Sequence, residues 1–286
     1  MVESRLTRVL LRLGAGVTLA FIYIPLVVVG LYAFNAQVTQ AWPIEEYSTK
    51  WFSVAFHNDE VRDALKLSIY AALGATVIAL VLGTLASLAV ARYRFFGREV
   101  ITFAVILPIA LPGIVTGLAL QATIIDVLGP LGFSFGLATI IVGHATFCVV
   151  VVYNNVIARM RRTSGSLDEA SADLGADNWQ TFRYVMLPQM RTALLAGALL
   201  AFALSFDEVI VTVFTSGARE TLPIWIFAQI SRPLELPIVN VVALFVLLVS
   251  IIPIYLAQRL AGSSGITGER PTQTVAAAAA VAVDTD

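Results

Sequence analysis

The chain has 286 residues, 58% of them hydrophobic and only 13% charged, with a formal net charge of −1 and a mean hydropathy of +0.86. Soluble domains carry roughly a quarter charged residues, so this excess of apolar side chains suits a chain solvated by lipid, and the balanced charge excludes a general basic field for nucleic acid. A lone cysteine, Cys148, excludes an intrachain disulfide and a cysteine-based metal site.

Arg5, Arg8 and Arg12 precede an apolar run from Leu13 to Phe34. That run exceeds the roughly 7–15 apolar residues of a secretory leader and has no small-x-small cleavage pattern behind it, so it reads as a retained first transmembrane helix. Crossing about 30 Å of hydrocarbon takes about 20 apolar residues. Six segments qualify: 13–34, 65–91, 100–122, 137–157, 192–216 and 236–258. The expected fold class is therefore an all-α membrane protein with a six-helix domain over 13–260. A short N-terminal arm (1–12) precedes it, and a Gly-, Ser-, Thr- and Ala-rich tail (261–286), expected to be disordered, follows. Lys and Arg divide 13 to 5 between the two sides, and the richer side holds both termini, which places them in the cytoplasm.

The first outer loop, 35–64, mixes Glu45, Glu46, Asp59, Glu60 and Asp63 with Trp42, Tyr47, Trp51 and Phe52. The aromatics read as interfacial anchors, and residues 57–66 as a short surface helix. Span three carries Pro108, Pro112, Gly113 and Gly117, so it is expected to kink or to pack closely. Span four places His144, Cys148 and Asn155 on one helical face, a pattern that suits an interhelical hydrogen bond better than a proton relay.

The loop over about 158–191 is the longest on the basic side. Ser166-Leu167-Asp168-Glu169 reads as a capped helix start, Asp168 and Glu169 suit the positive end of a helix dipole, and Gly175 is a C-terminal stop. A second short helix is expected through Trp179, Phe182 and Tyr184, ending at Leu187-Pro188. The physical reading is a helix–turn–helix beneath the membrane whose small residues admit another surface.

In span five, Asp207 and Glu208 sit where an ionised carboxylate costs about 2.5–3.5 kcal/mol. Ser205, Glu208, Thr212 and Thr215 share one face of a continuous helix, with Asp207 about 100° round. Two readings stand: a pore lining, or a structural hydrogen-bond cluster. Trp225 is either a cation–π contact on the solute path or an interface anchor. No Gly-rich phosphate loop with Lys-Ser/Thr occurs in the sequence, so ATP is not bound by that route. His57, His144 and Cys148 form no catalytic cluster, so no enzyme is expected.

The run Glu169-Ala170-Ser171, three residues, Gly175, nine residues, Val185, one residue, Leu187-Pro188 resembles the EAA loop of ABC importer permeases, with Ser171 and Val185 as its two departures. Ser205-Phe206-Asp207-Glu208, Phe214-Thr215-Ser216-Gly217, Thr221-Leu222-Pro223 and Asn240 to Leu244 are similar to the C-type permease of spermidine/putrescine importers. The resemblance implies a type I ABC importer permease fold in the bacterial inner membrane. It implies coupling to an ATPase through Glu169, Ala170, Ser171, Gly175, Leu187 and Pro188. It also implies a homologous second permease, a dimer of ATPases that uses ATP and magnesium, and an extracytoplasmic substrate-binding protein, with no cofactor on this chain. The alternatives are another solute such as iron or sulfate, or an ion-coupled secondary transporter using Asp207 and Glu208.

Overall fold

A computed structural model describes residues 5–262; of the tail expected to be disordered, 261 and 262 belong to the last helix and 263–286 lie outside the described residues. Within them the chain is helical apart from turns and one isolated bridge between Asn35 and Tyr47. In chain order the helices are α1 (Arg5–Ala33), α2 (Lys50–His57), α3 (Asp59–Arg92), α4 (Arg98–Ala110), α5 (Gly113–Ala122), α6 (Leu137–Arg161), α7 (Ser166–Asp173), α8 (Asn178–Gln180), α9 (Leu187–Phe206), α10 (Ile210–Thr215), α11 (Leu222–Gln229) and α12 (Leu236–Gly262). Among the described residues five stretches are long and apolar enough to cross a membrane: Arg5–Ala33, Asp59–Arg92, Gly113–Leu131, Leu137–Arg161 and Asn178–Phe206. A shorter apolar helical segment, Leu236–Ile252, lies in α12.

α6 forms the centre. Of its most apolar stretch 61% is buried, against none for α1, whose apolar side chains are left for lipid. α3 lies beside α6 in the same direction, because Gly74 meets Ile141 and Gly83 meets Val149, Val152 and Tyr153. A Cβ on Gly83 would stand 3.0 Å from the Val149 carbonyl oxygen and 3.1 Å from the Tyr153 nitrogen, so only glycine permits this backbone approach. Ser87 seals the contact, its Oγ lying 2.7 Å from the Gly83 carbonyl and 3.1 Å from that of Tyr153. α9 runs back antiparallel to α6, with Gly197 against Val152 and Asn155.

Several boundaries differ from the sequence expectation. α1 begins at Arg5, so the basic arm continues the helix instead of preceding it. The short helix of the outer loop is Lys50–His57 rather than 57–66. Asn58 then accepts from the Val61 amide at 3.2 Å and starts α3 at Asp59, an N-cap that the sequence shows as Asn ahead of Asp-Glu. Trp51 turns inward, its Nε1 donating to the Asn35 carbonyl at 3.0 Å, whereas Trp42 and Tyr47 remain exposed as anchors would.

Span three is not one helix over 100–122. It breaks at Leu111-Pro112, Pro112 standing at the start of α5 while Pro108 is accommodated inside α4. α4 stays with α3 and α6, where Val105 packs beside Val90 and Tyr153, and α5 goes to α10, Gly117 facing Phe214. Wide π turns occur at Thr123–Leu128 and Thr181–Met186, each followed after one residue by a proline, Pro130 and Pro188. The missing proline N–H and the ring's clash with the carbonyl four residues back account for both.

Candidate functional site

The loop between α6 and α9 is built as a presented helix. Ser166 is the first helical residue rather than the cap; the amide of Ser166 donates to Ser164 Oγ at 3.2 Å. Gly175 takes φ +85°. Its amide donates to Ala172 at 2.9 Å and the Ala176 amide to Ser171 at 3.1 Å, the paired bonds of a Schellman stop that favours glycine. Asp177 and Gln180 then form a reciprocal capping box at 2.7 and 2.9 Å. The helix so started does not end at Leu187-Pro188 but runs through the π turn into α9, so span five is continuous with the loop.

Of the residues expected to couple, Glu169, Ala170 and Gly175 are exposed, while Ser171 turns inward to Thr181, their hydroxyls 3.0 Å apart. Leu187 and Pro188 stand in the helical run below, Leu187 half-buried. The same surface exposes Leu167, Leu174, Trp179 and Tyr184, Leu174 at 89%. A short polar loop has no reason of its own to hold out so much apolar area. Side-chain contacts tie α7 to the helices around it: Ser171 to Thr181, and Asp168 to Arg92 at the end of α3, 2.9 Å apart. Arg92 could not be identified as a partner from sequence, where it counted only as one of many basic residues.

The second constellation lies at the far end of α9. The continuous helix expected over 192–216 is interrupted: α9 ends at Phe206, Asp207 to Val209 form a break, and α10 begins at Ile210. Ser205, Thr212 and Thr215 still come together, through α6 instead of one helical face. His144, 1% exposed, contacts Ser205 Oγ through Nδ1 and Thr212 Oγ1 through Nε2, both at 2.7 Å. Thr212 gives its only hydroxyl proton to the Glu208 carbonyl at 2.7 Å. It must therefore accept from Nε2–H, which leaves Nδ1 to accept from Ser205. Thr215, also fully buried, accepts at its carbonyl from Thr139 Oγ1 at 2.7 Å. His144 thus ties both sides of the break to α6. Cys148 donates to the Ala201 carbonyl at 3.3 Å, and Asn155 donates back into its own helix, to Val151 at 2.9 Å.

The two carboxylates behave differently. One oxygen of Glu208 accepts from the Val211 amide at 2.9 Å, capping α10, and the side chain is half-buried. Asp207 is exposed at the end of α9. At the same end of the bundle a cavity of about 690 Å³ is lined by Glu60, Asp63, Lys66, Arg219, Glu220 and Arg232 together with Tyr70, Trp225 and Gln229. Trp225 is 1% exposed, packed in the apolar group with Phe206 and Val241. Its Nε1 donates to Glu60 Oε2 at 3.2 Å, so it forms part of the cavity wall. Among the described residues no group of three or more His, Cys, Asp or Glu is arranged to hold a metal ion.

The comparisons identify the class of protein to which this bundle, with its presented helix and its broken, carboxylate-bearing span, belongs. Residues 79–263 match the family described as "Binding-protein-dependent transport system inner membrane component", and the chain belongs to that family. It is therefore a multi-pass inner-membrane permease subunit of the ABC importer class. It is 31% identical over 86% of its length to the putrescine transport system permease protein PotI of Escherichia coli (strain K12), covering 87% of that protein. It is 30% identical over 87% of its length to the spermidine/putrescine transport system permease protein PotC of the same organism, covering 94% of it. The putative 2-aminoethylphosphonate transport system permease protein PhnV of Salmonella paratyphi A (strain ATCC 9150 / SARB42) is 27% identical over 77% of the chain and 84% of its own length. In fold, the chain is similar to a bacterial ABC transporter that imports the acidic polysaccharide alginate (TM-score 0.65, 18% identity, 93% of this chain and 100% of that one).

Proposed function

We propose that this chain is one half of the pore of an ABC importer that carries polyamines, putrescine or spermidine, into the cytoplasm. The exposed helix α7, stopped by Gly175 in a left-handed turn, carries this reading: with the residues that follow it, it is an ordered, partly apolar surface that nothing among the described residues covers. An ATPase subunit docks there, against Glu169, Ala170, Gly175 and the neighbouring Leu174, and ATP and magnesium act in that subunit. A homologous second permease completes the pore, an extracytoplasmic binding protein delivers the solute, and six crossings leave both termini in the cytoplasm.

For the path itself, the break between α9 and α10 supports Asp207 and Glu208 over the rest of the set. Ser205, Thr212 and Thr215 are buried and hold the break in place, while the free oxygen of Glu208 and the exposed Asp207 are available to a cation. Carboxylates that each hold weakly suit passage of a polycation better than one tight site. An anionic solute, such as the name of the 27%-identical relative describes, would meet repulsion at these two positions.

The deciding experiment reconstitutes the chain with the products of its neighbouring genes in vesicles. Uptake of radiolabelled putrescine or spermidine is measured with ATP and with a non-hydrolysable analogue. ATP-dependent uptake requiring the ATPase and the binding protein is expected. Uptake driven by an ion gradient with the ATPase absent would overturn the reading in favour of a secondary transporter.

A further inference from the structure

We infer that Arg92 and Asp168 form a transmission contact, carrying movement of the docking helix α7 into α3 and along it to the cavity at the opposite end of the bundle. The inference rests on the proposed docking of an ATPase on α7.

The two side chains are 18% and 17% exposed, so both charges are largely withdrawn from water and each is the neighbour that offsets the other's desolvation. Their 2.9 Å separation is a charge contact off the Nε–H axis: neither Arg92 Nε nor Asp168 Oδ1 has an aligned hydrogen bond. Such a contact tolerates rotation of α7 while resisting separation. Arg92 also lies under the loop that leads into α7, where a Cβ on Gly165 would be 3.3 Å from its Nη1. α7 is thereby held on one side by Thr181, which leads into α9, and on the other by α3.

α3 is suited to pass displacement on. It is an unbroken 34-residue helix without proline. Its other end is fastened as firmly: Ser68 Oγ accepts from the Leu222 amide at 2.8 Å and Glu60 from Trp225 Nε1 at 3.2 Å. Glu60, Asp63, Lys66 and Tyr70 of α3 line the cavity. At 1.5 Å per residue, Glu60 and Arg92 stand about 48 Å apart along one rod. Movement of Arg92 along the axis therefore changes the cavity wall directly, with no need of a chain of side-chain contacts.

The test uses the complete importer in vesicles with R92Q, D168N and the charge-exchanged double variant R92D/D168R. Three quantities are read: ATPase retained through purification, solute taken up per ATP hydrolysed, and ATP-dependent labelling of Tyr70→Cys in the cavity by a membrane-impermeant maleimide. Each single variant is expected to retain its ATPase, to lower uptake per ATP about fivefold or more, and to abolish the ATP dependence of labelling. The exchanged pair is expected to recover both. Should R92Q fail to accumulate in the membrane, D168N carries the same expectation, since it alters the loop helix alone. Singles that couple and label as the unaltered complex does, or an exchanged pair no better than the worse single, would overturn the inference. If the unaltered chain itself retains no ATPase, the docking reading fails and this inference falls with it.

Discussion

The packing of α6 against α9 and the presentation of α7 are opposite solutions to the same problem of polar groups near a membrane. Around α6, His144 joins Ser205 of α9 to Thr212 of α10 and Thr139 donates to the Thr215 carbonyl, while Gly83 and Gly197 let α3 and α9 approach closely. That region is complete. In the loop that carries α7 the backbone is equally well satisfied, by the Gly175 stop of α7 and the Asp177 cap of α8, but the side chains Leu174, Trp179 and Tyr184 are exposed. The difference teaches that order and completeness are separable: on the proposed docking, α7 is shaped in advance for a surface supplied by another chain.

Changes in the first region should therefore alter the stability of the isolated chain, and changes in the second only its behaviour in the assembled importer. Gly83→Val should act most strongly, because the added carbons meet the backbone of α6. Overpacking of this kind costs about 1–3 kcal/mol or more, and loss of the monodisperse peak in detergent would show it. A Gly83→Val chain of undiminished thermal stability would refute the close approach. Gly175→Trp combines a strained left-handed backbone with bulk at the docking face. It should lower uptake per ATP on the order of tenfold while the melting temperature of the isolated chain moves little; normal coupling would remove α7 from the mechanism.

His144→Phe keeps an aromatic ring, a somewhat larger one, and deletes both bridges to the broken span. It should destabilise the purified chain by about 1–2 kcal/mol, seen as a lower thermal midpoint, and an unchanged midpoint would mean the bridges are dispensable. Glu208→Gln keeps the shape and removes the charge, so polyamine uptake should fall several-fold with the complex intact. Unchanged transport would return Glu208 to the cap of α10 alone. The smallest effect on the isolated chain is expected for Leu174→Ala, within about 0.5 kcal/mol, alongside measurably weaker retention of the ATPase in a pull-down.

How much of this was legible beforehand depends on the range of the interactions. The apolar runs, the basic side, the Gly175 stop and the loop's helical start could all be read from residues a few positions apart. The proline at 112 announced a disturbance but not that α4 and α5 would part to different neighbours. Nothing local marked the break at Asp207 to Val209, which has neither glycine nor proline. It is held by His144, more than sixty positions away.

Sequence alone determined that this is a membrane chain of repeated apolar helices with a helical loop on its basic side. Hydropathy and capping are properties of short stretches, and a bilayer reads them one helix at a time. Only the tertiary structure decided which helices break, that Ser205 and Thr212 meet across His144, and that Arg92 reaches Asp168. Those outcomes depend on which surfaces face each other once the helices pack, and spacing along the chain does not encode that by itself.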